Sequence, residues 1–146
     1  MSATEVQAAC EALVYAYARL IDFRDYEGFA SLFAEDGELE TGRPVVGRQA
    51  IFDSLMNRPE DLRSRHVMSN VYVDVLDSHN ARGISYLTLY RHIGEASLKA
   101  APAPLNGPAA IGHYEDRYRL TDDGWRFSRR KLHIAFANDQ LKGGRR

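Results

Sequence analysis

The residue types and spacings in this sequence favour acid–base chemistry over other kinds of catalysis. The sequence contains no phosphate-binding loop, no glycine-rich dinucleotide turn and no nucleophile elbow. Its single cysteine cannot build a thiolate zinc site, and the five histidines form no HxH, HxxxH or HExxH pattern. We therefore expect neither a metal nor a cofactor, while a metal held by residues from separate strands stays open as an alternative.

Asp22 is the first candidate for a catalytic group. It follows the apolar pair Leu20-Ile21 and closes a predicted helix. The alternative is an ordinary helix-terminal acid in solvent. Tyr17 lies five residues earlier, about 140° from Asp22 around an ideal helix, so both side chains could point inward only if the helix loosens near its end.

His66 is the second candidate, at the start of a valine-rich predicted strand. Imidazole gains and loses a proton near neutral pH, and a carboxylate partner would orient it for proton transfer. Met68 shares the strand face of His66, and we expect it to contact a bound substrate. The alternative for His66 is a half-buried side chain with a purely structural hydrogen bond.

Asp116 is the third candidate. On its predicted strand it shares the inward face with Tyr114 and Tyr118. Asp116 there would be either a desolvated pocket acid or one half of an ion pair with Arg129 or Arg130 on the neighbouring strand. The sequence supports these two alternatives equally, and Asp116 and Tyr114 are kept as candidate substrate-binding residues.

Three amphipathic helices and a set of strands must position these side chains. Helical spacing of apolar residues predicts helices over residues 4–22, 26–33 and 48–57, the first capped by Thr4 with Gln7 at capping-box spacing. Alternating apolar residues predict strands over 38–41, 66–77, 84–93, 111–120 and 125–136, and Pro- and Gly-rich residues 100–110 predict a loop. Helices first and strands afterwards indicate an α+β fold.

The last strand carries an irregularity that predicts curvature. The large apolar residues stand at odd positions at first (Trp125 and Phe127) and at even positions later (Leu132 and Ile134). A β-bulge is therefore expected between residues 128 and 131. Curved strands wrapped round the helices would form a cone-shaped roll with a central pocket. Tyr86 is expected to line that pocket with its phenol ring.

Length and composition restrict the class of protein. The 146 residues suit a single domain, with a core over about residues 5–135 and a flexible tail over 137–146. The 19 Lys and Arg residues are balanced by 20 Asp and Glu residues, and this near-neutral charge argues against a nucleic-acid-binding protein. The first residues show neither a signal peptide nor a membrane span, so we expect a cytoplasmic protein. Strands that are apolar on both faces suggest a homo-oligomer, a dimer or a trimer.

Four segments carry a resemblance to a known family: YAYARLIDFRDYEGFASLFAEDGELE, GRQAI, RHVMSNVYV and GHYEDRYRLTDDGWRFSRR. Together they resemble the SnoaL-like family of the nuclear transport factor 2-like superfamily. The resemblance implies an α+β cone in which three helices pack in the concavity of a curved, mostly antiparallel sheet around a deep pocket. The superfamily includes isomerases, dehydratases, polyketide cyclases, dioxygenase small subunits and binding proteins.

The resemblance also implies roles for individual residues. Asp22 and His66 match the aspartate and histidine of the catalytic pair in scytalone dehydratase, bile-acid 7α-dehydratase and hexachlorocyclohexane dehydrochlorinase. Tyr17 matches a catalytic tyrosine of the bile-acid dehydratase and of ketosteroid isomerase. Thr41 stands where ketosteroid isomerase keeps its proton-shuttling aspartate, and Leu89 where the bile-acid dehydratase has a further pocket aspartate.

The combined expectation is a cofactor-free lyase or isomerase, dehydratase- or cyclase-like, acting on a small apolar cyclic molecule. His66 would move the proton, Asp22 would orient the imidazole, and Tyr17 would donate a hydrogen bond to the developing oxyanion. The alternative is a non-catalytic small-molecule-binding protein, or a scaffold similar to the small subunit of ring-hydroxylating dioxygenases.

Overall fold

Helices and strands follow one another in the predicted α-then-β order. The structure, a computed structural model, describes residues 1–138. These residues contain the helices α1 (Ala3–Asp22), α2 (Tyr26–Ser31) and α3 (Arg48–Leu55) and a short 3-10 helix (Glu95–Leu98). The strands are β1 (Phe33–Glu40), β2 (Pro44–Val46), β3 (Leu62–Val75), β4 (Asn80–Ile93), β5 (Ala110–Thr121) and β6 (Gly124–Ala137). The sequence predicts a flexible tail over residues 137–146. Ala137 instead ends β6, and residues 139–146 lie outside the described residues.

The N-cap of helix α1 lies two residues earlier than the sequence predicts. Ser2, not Thr4, is its N-cap, and the Ser2 hydroxyl accepts a hydrogen bond from the backbone N–H of Glu5 at 3.2 Å. Ser2 and Glu5 have the same three-residue spacing as Thr4 and Gln7, so the pattern alone could not choose between them. The longer helix still presents one buried stripe to the sheet: Val6, Cys10, Leu13, Val14, Tyr17, Ala18 and Ile21.

One six-stranded sheet, in the order β2-β1-β6-β5-β4-β3, curves around the helices. β1 and β6 run parallel, and the other neighbouring strands are antiparallel. The expected α+β roll with a mostly antiparallel sheet is therefore confirmed. Between α2 and the concave face of the sheet, the buried rings of Phe29, Phe33 and Phe127 pack in sequence with centroid separations of 5.8 and 5.2 Å.

Bulges give the sheet its curvature. The predicted bulge of the last strand is present at Ser128, because Arg117 pairs with Arg129 while Tyr118 pairs with Phe127. A second bulge of β6 lies opposite Gly112, where a Cβ atom would come within 2.2 Å of a backbone carbonyl oxygen of β6. Only glycine permits this close approach.

A bulge in β3 was not expected from the sequence. Ser69 pairs with Tyr86 and Tyr72 pairs with Ile84, so two residues of β3 oppose one of β4, and Asn70 takes a positive φ of 50°. Asn and Asp tolerate this left-handed conformation better than other non-glycine residues. The bulge moves the inward positions of β3 from even to odd residue numbers.

The convex face of the sheet retains exposed apolar side chains: Val67, Tyr72, Tyr86, Ile111 and Phe136. Such a surface fits the expected oligomer, which stays a prediction. Among the described residues, no helix combines the length and the apolar character needed to cross a membrane.

Candidate active site

A cavity of about 580 Å³ opens between the helices and the concave face of the sheet. Its apolar lining comes mainly from leucine, isoleucine and valine on α1, α3 and five strands: Ile21, Leu39, Val45, Leu55, Leu62, Leu87, Leu89, Leu132 and Ile134. The polar lining includes His66, Ser64, Thr41 and the arginines Arg43, Arg58 and Arg91, together with the phenols Tyr17 and Tyr114. No Asp or Glu lines the cavity within residues 1–138. The lining is therefore largely apolar, with one imidazole as its titratable base.

Asp22 and His66 meet beside this cavity. Asp22 Oδ1 lies 2.6 Å from His66 Nδ1, and the two side chains are only 5% and 11% exposed. Asp22 Oδ2 accepts a hydrogen bond of 2.8 Å from the backbone N–H of His66, and the Ser64 hydroxyl donates to Oδ1 at 2.8 Å. Both carboxylate oxygens are thus fixed. The other imidazole nitrogen, Nε2, has no hydrogen-bond partner within residues 1–138.

The position of Asp22 follows from the end of α1. The helix stays regular through Asp22 and closes with hydrogen bonds from the Phe23 N–H to the carbonyl oxygens of Arg19 and Ile21. The condition inferred from ideal helix geometry, that the helix must loosen for both side chains to point inward, is therefore wrong. Tyr17 and Asp22 both reach His66 from a regular helix, and the Tyr17 ring lies edge-on to the imidazole at a centroid distance of 6.3 Å. The partial negative charge of a helix C-terminus disfavours a carboxylate there and favours a cation beside it.

Two arginines fasten the end of α1 to the start of β3. The Arg24 guanidinium, from a residue with φ of 62°, donates to the carbonyl oxygens of Pro59 (3.0 Å), Glu60 and Leu62. Arg58 donates to the carbonyl oxygen of Ile21 at 3.2 Å. These bonds join segments that are more than thirty residues apart, and so they hold the helix end at a fixed distance from the strand that carries the imidazole.

Tyr17 and Tyr114 form a pair of neighbouring phenols in the cavity lining. Their ring centroids lie 5.4 Å apart in an edge-to-face arrangement. Burial raises the pKa of Tyr17 above its ordinary value, and it raises the pKa of Tyr114 further. Both side chains are therefore protonated hydrogen-bond donors at neutral pH.

Asp116 belongs to a sealed ion pair beneath the phenols rather than to the cavity. Its Oδ1 accepts a hydrogen bond from Arg130 Nε at 3.0 Å, and its Oδ2 accepts one from the Tyr118 hydroxyl at 3.0 Å. The Arg130 guanidinium carbon lies 3.7 and 4.2 Å from the ring centroids of Tyr114 and Tyr17. Of the two alternatives, the structure favours the ion pair. Burial raises the pKa of Asp116, and the charge of Arg130 acts against that rise.

Two further candidates lie away from the cavity. Tyr86 is on the convex face, where it pairs with His113, and its side chain is half exposed. The prediction that Tyr86 lines the cavity was wrong. Both the odd and the even positions of β4 carry apolar residues, so the sequence does not show which set faces inward; Leu87 and Leu89, at odd positions, occupy the concave face. Met68 faces inward like His66 but packs against the hydrophobic core and does not line the cavity.

Sequence reasoning missed the residues that support the Asp22–His66 contact. Ser64 lies two residues before His66, and that spacing places both on one strand face, a signal that could have identified it. Arg24 and Arg58 act through carbonyl oxygens of distant segments. No local pattern marks such contacts, because they depend on where the chain folds back.

Comparisons with known proteins agree with this fold. A family model described as a SnoaL-like domain matches residues 2–131. No curated protein matches the sequence. Among solved structures, a variant of Rv3472, a protein of unknown function from Mycobacterium tuberculosis, is 25% identical, with 92% of this chain and 79% of that chain covered and a TM-score of 0.72.

Two other solved structures are similar in fold. A candidate scytalone dehydratase from Novosphingobium aromaticivorans is 24% identical, covers 90% of this chain and 85% of its own, and has a TM-score of 0.74. A protein from Catenulispora acidiphila, solved in complex with S-DNPA, is 16% identical, covers 90% and 94%, and has a TM-score of 0.70. At these identities the likeness concerns the fold.

Proposed function

We propose that this chain, which belongs to the SnoaL-like domain family, is a cofactor-independent lyase or isomerase that uses an Asp22–His66 pair for acid–base chemistry on a small cyclic substrate. The observation that carries the proposal is the hydrogen bond of 2.6 Å between Asp22 Oδ1 and His66 Nδ1, at the edge of a largely apolar cavity. A carboxylate that holds one imidazole nitrogen leaves the other available to a substrate.

The proposed reaction is a proton abstraction next to a carbonyl group, followed by loss of a β-hydroxyl group. His66 Nε2 takes the proton from carbon, the C–H electron pair becomes part of the new double bond, and the C–O bond breaks. The imidazolium returns the proton to the departing hydroxyl, so that water leaves and the base is regenerated. Asp22 stabilises the imidazolium between these steps, and this stabilisation is available because both of its oxygens are already fixed.

Tyr17 supplies the hydrogen bond to the substrate carbonyl as negative charge develops on its oxygen. It lines the cavity close to the imidazole. Because burial raises its pKa, the phenol keeps its proton and acts as a donor rather than as a second base. The Tyr114 ring packs edge-to-face against the Tyr17 ring and supports its position.

The cavity limits the substrate class. Leu39, Leu87 and Leu132 offer apolar contacts to a ring system, and a volume of about 580 Å³ is in the range of ordinary small-molecule sites. The arginine side chains of the lining favour an oxygen-bearing substrate whose carbonyl gains negative charge during the reaction. A hydroxylated cyclic ketone meets both requirements.

The test is turnover of a panel of cyclic β-hydroxy ketones, followed by NMR in deuterated water. Wild-type protein is expected to lose water from one or more members and to exchange the proton next to the carbonyl. His66→Ala should reduce the rate by about 10²–10⁴-fold, the usual contribution of a positioned general base. His79→Ala, in an exposed turn outside the cavity, serves as the matched histidine control.

Mass spectrometry of ligands that co-purify with the protein would guide the choice of panel. Equal turnover by wild type and His66→Ala would contradict the proposal. Tight binding of panel members by both proteins, with neither water loss nor exchange, would establish a binding protein instead of an enzyme.

A further inference from the structure

A second group of titratable side chains lies on the convex face of the sheet, opposite the cavity. His113 and Glu115 are two residues apart on β5 and so point to the same side. His133 stands directly across from His113 on β6. The concave face at this point is occupied by Tyr114, which means that the cluster is separated from the cavity by the sheet itself.

One carboxylate oxygen stands between the two imidazoles. Glu115 Oε2 lies 3.0 Å from His113 Nε2 and 3.2 Å from His133 Nε2. The imidazole rings are stacked, with centroids 4.8 Å apart and planes 9° from parallel. All three potential ligand atoms lie within 4.8 Å of one another.

The His133 contact differs from an ordinary hydrogen bond. Its Nε2 is buried, lies 3.2 Å from Glu115 Oε2, and yet has no partner with hydrogen-bond geometry within the described residues. A nitrogen and an oxygen bound to one ion stand at about this separation, because metal–ligand distances are near 2 Å and the angle between ligands is wide. A buried nitrogen without a hydrogen bond is costly in the absence of such a partner.

The surroundings leave Glu115 available. Lys131 is the residue across from Glu115 on β6, and its ammonium group lies 3.5 Å from Glu40. On the other side, β4 presents Ile84, which offers no charge.

We propose that His113, Glu115 and His133 bind one divalent transition-metal ion of the Zn²⁺ class. Two imidazole nitrogens and one carboxylate oxygen are a donor set suited to Zn²⁺ and its neighbours rather than to Mg²⁺ or Ca²⁺, which prefer oxygen ligands. The ion would join β5 to β6 on the convex face, and water would fill its remaining positions. The site is independent of the proposed acid–base chemistry.

Calorimetric titration of the untagged, metal-free protein with ZnCl₂ tests the site. One ion per chain is expected, with no competition from MgCl₂. His133→Ala and Glu115→Gln should each weaken binding by at least about tenfold, since each removes one of three protein ligands. Cobalt(II) should give a visible absorption spectrum with wild type that both variants lose.

His79→Ala is the matched control, since it removes an exposed imidazole elsewhere, and it should bind Zn²⁺ like wild type. Circular dichroism of each variant checks that the fold is retained. No saturable binding by wild type, or equal affinity in wild type, His133→Ala and Glu115→Gln, would overturn the proposal. Neither result would bear on turnover in the cavity.

Discussion

Two carboxylate pairs lie close together in this molecule, and they differ in access to solvent. His66 lines the cavity and Asp22 contacts this imidazole from outside the lining, with side chains 11% and 5% exposed. Asp116 and Arg130 are 0% exposed, and aromatic rings surround the guanidinium. Both pairs have short contacts, 2.6 and 3.0 Å. Distance alone therefore does not distinguish the proposed catalytic pair from a structural one.

The difference lies in the cation and in what can reach it. An imidazole exchanges protons near neutral pH, whereas a guanidinium keeps its charge under all ordinary conditions. His66 has an unoccupied nitrogen beside a cavity, whereas Arg130 donates through Nε to Asp116 and through Nη2 to Ser85 inside the core. We therefore expect substitutions in the first pair to change activity and substitutions in the second to change stability.

The largest effect is expected in the sealed pair. Arg130→Met leaves the Asp116 carboxylate buried without its cation, and the free energy of unfolding should fall by about 3–5 kcal/mol. Urea denaturation measures it. Arg129→Met is the matched control: its exposed guanidinium contacts Glu38 at 3.4 Å, and its loss should cost less than about 1 kcal/mol. Equal losses in the two variants would remove the distinction between the pairs.

The same substitution in both pairs sharpens the comparison. Asp22→Asn keeps the shape of the side chain but removes the charge that stabilises the imidazolium, so turnover should fall by about a hundredfold, or about 2.7 kcal/mol of activation free energy. Its unfolding free energy should change less than that of Asp116→Asn, because Asp22 is not sealed from solvent. Kinetics and urea denaturation of both variants give the two readouts. A larger stability loss in Asp22→Asn would reverse the assignment.

A smaller effect is expected at Tyr17, whose ring packs against the Arg130 guanidinium. Tyr17→Phe removes one hydrogen-bond donor and should lower kcat by about tenfold with little change in KM, because the lost bond strengthens only as charge develops. Tyr114→Phe leaves the Tyr17 hydroxyl in place and should have a milder effect. If Tyr17→Phe alters KM alone, the phenol binds substrate without stabilising the oxyanion.

The smallest effect concerns alkaline pH. Burial raises the pKa of Tyr17, Tyr114 and Tyr118 above the ordinary value of 10, so the folded state holds these protons more tightly than the unfolded state. Their stabilising contribution is complete below pH 10 and is lost as the pH rises from 10 towards the folded-state pKa. The absorbance of ionised tyrosine, followed as the pH is raised, should show that these three side chains lose their protons only when the protein unfolds. Ionisation of all tyrosines at pH 10 with unchanged circular dichroism would contradict this.

The elements of the fold were largely predictable because their signals are local. Helical spacing marked α1 and α3, and the change of parity after Phe127 marked the bulge at Ser128. Resemblance to relatives suggested that Asp22 and His66 belong together, and the structure places them in contact. Their catalytic role stays a prediction.

Features that depend on distant contacts were not predictable. β1 begins at Phe33, which local apolar spacing assigns to the preceding helix, because its pairing with Phe127 forms only in the folded sheet. Asn70 lies in a regular alternation of apolar residues, and nothing local indicates that it is the site of a bulge. Which face of the sheet Tyr86 occupies likewise depends on how β4 pairs with its neighbouring strand.

The bulge at Ser128 gives β6 one residue more than a regular ladder needs at this point. Deleting Ser128 would place Arg129 directly after Phe127, so that ordinary alternation would still turn Arg129 outward and Arg130 into the core. The deletion would remove the local bend of the strand and leave its two faces as they are. Among homologous chains, a one-residue gap here would therefore signal a flatter sheet around an unchanged interior.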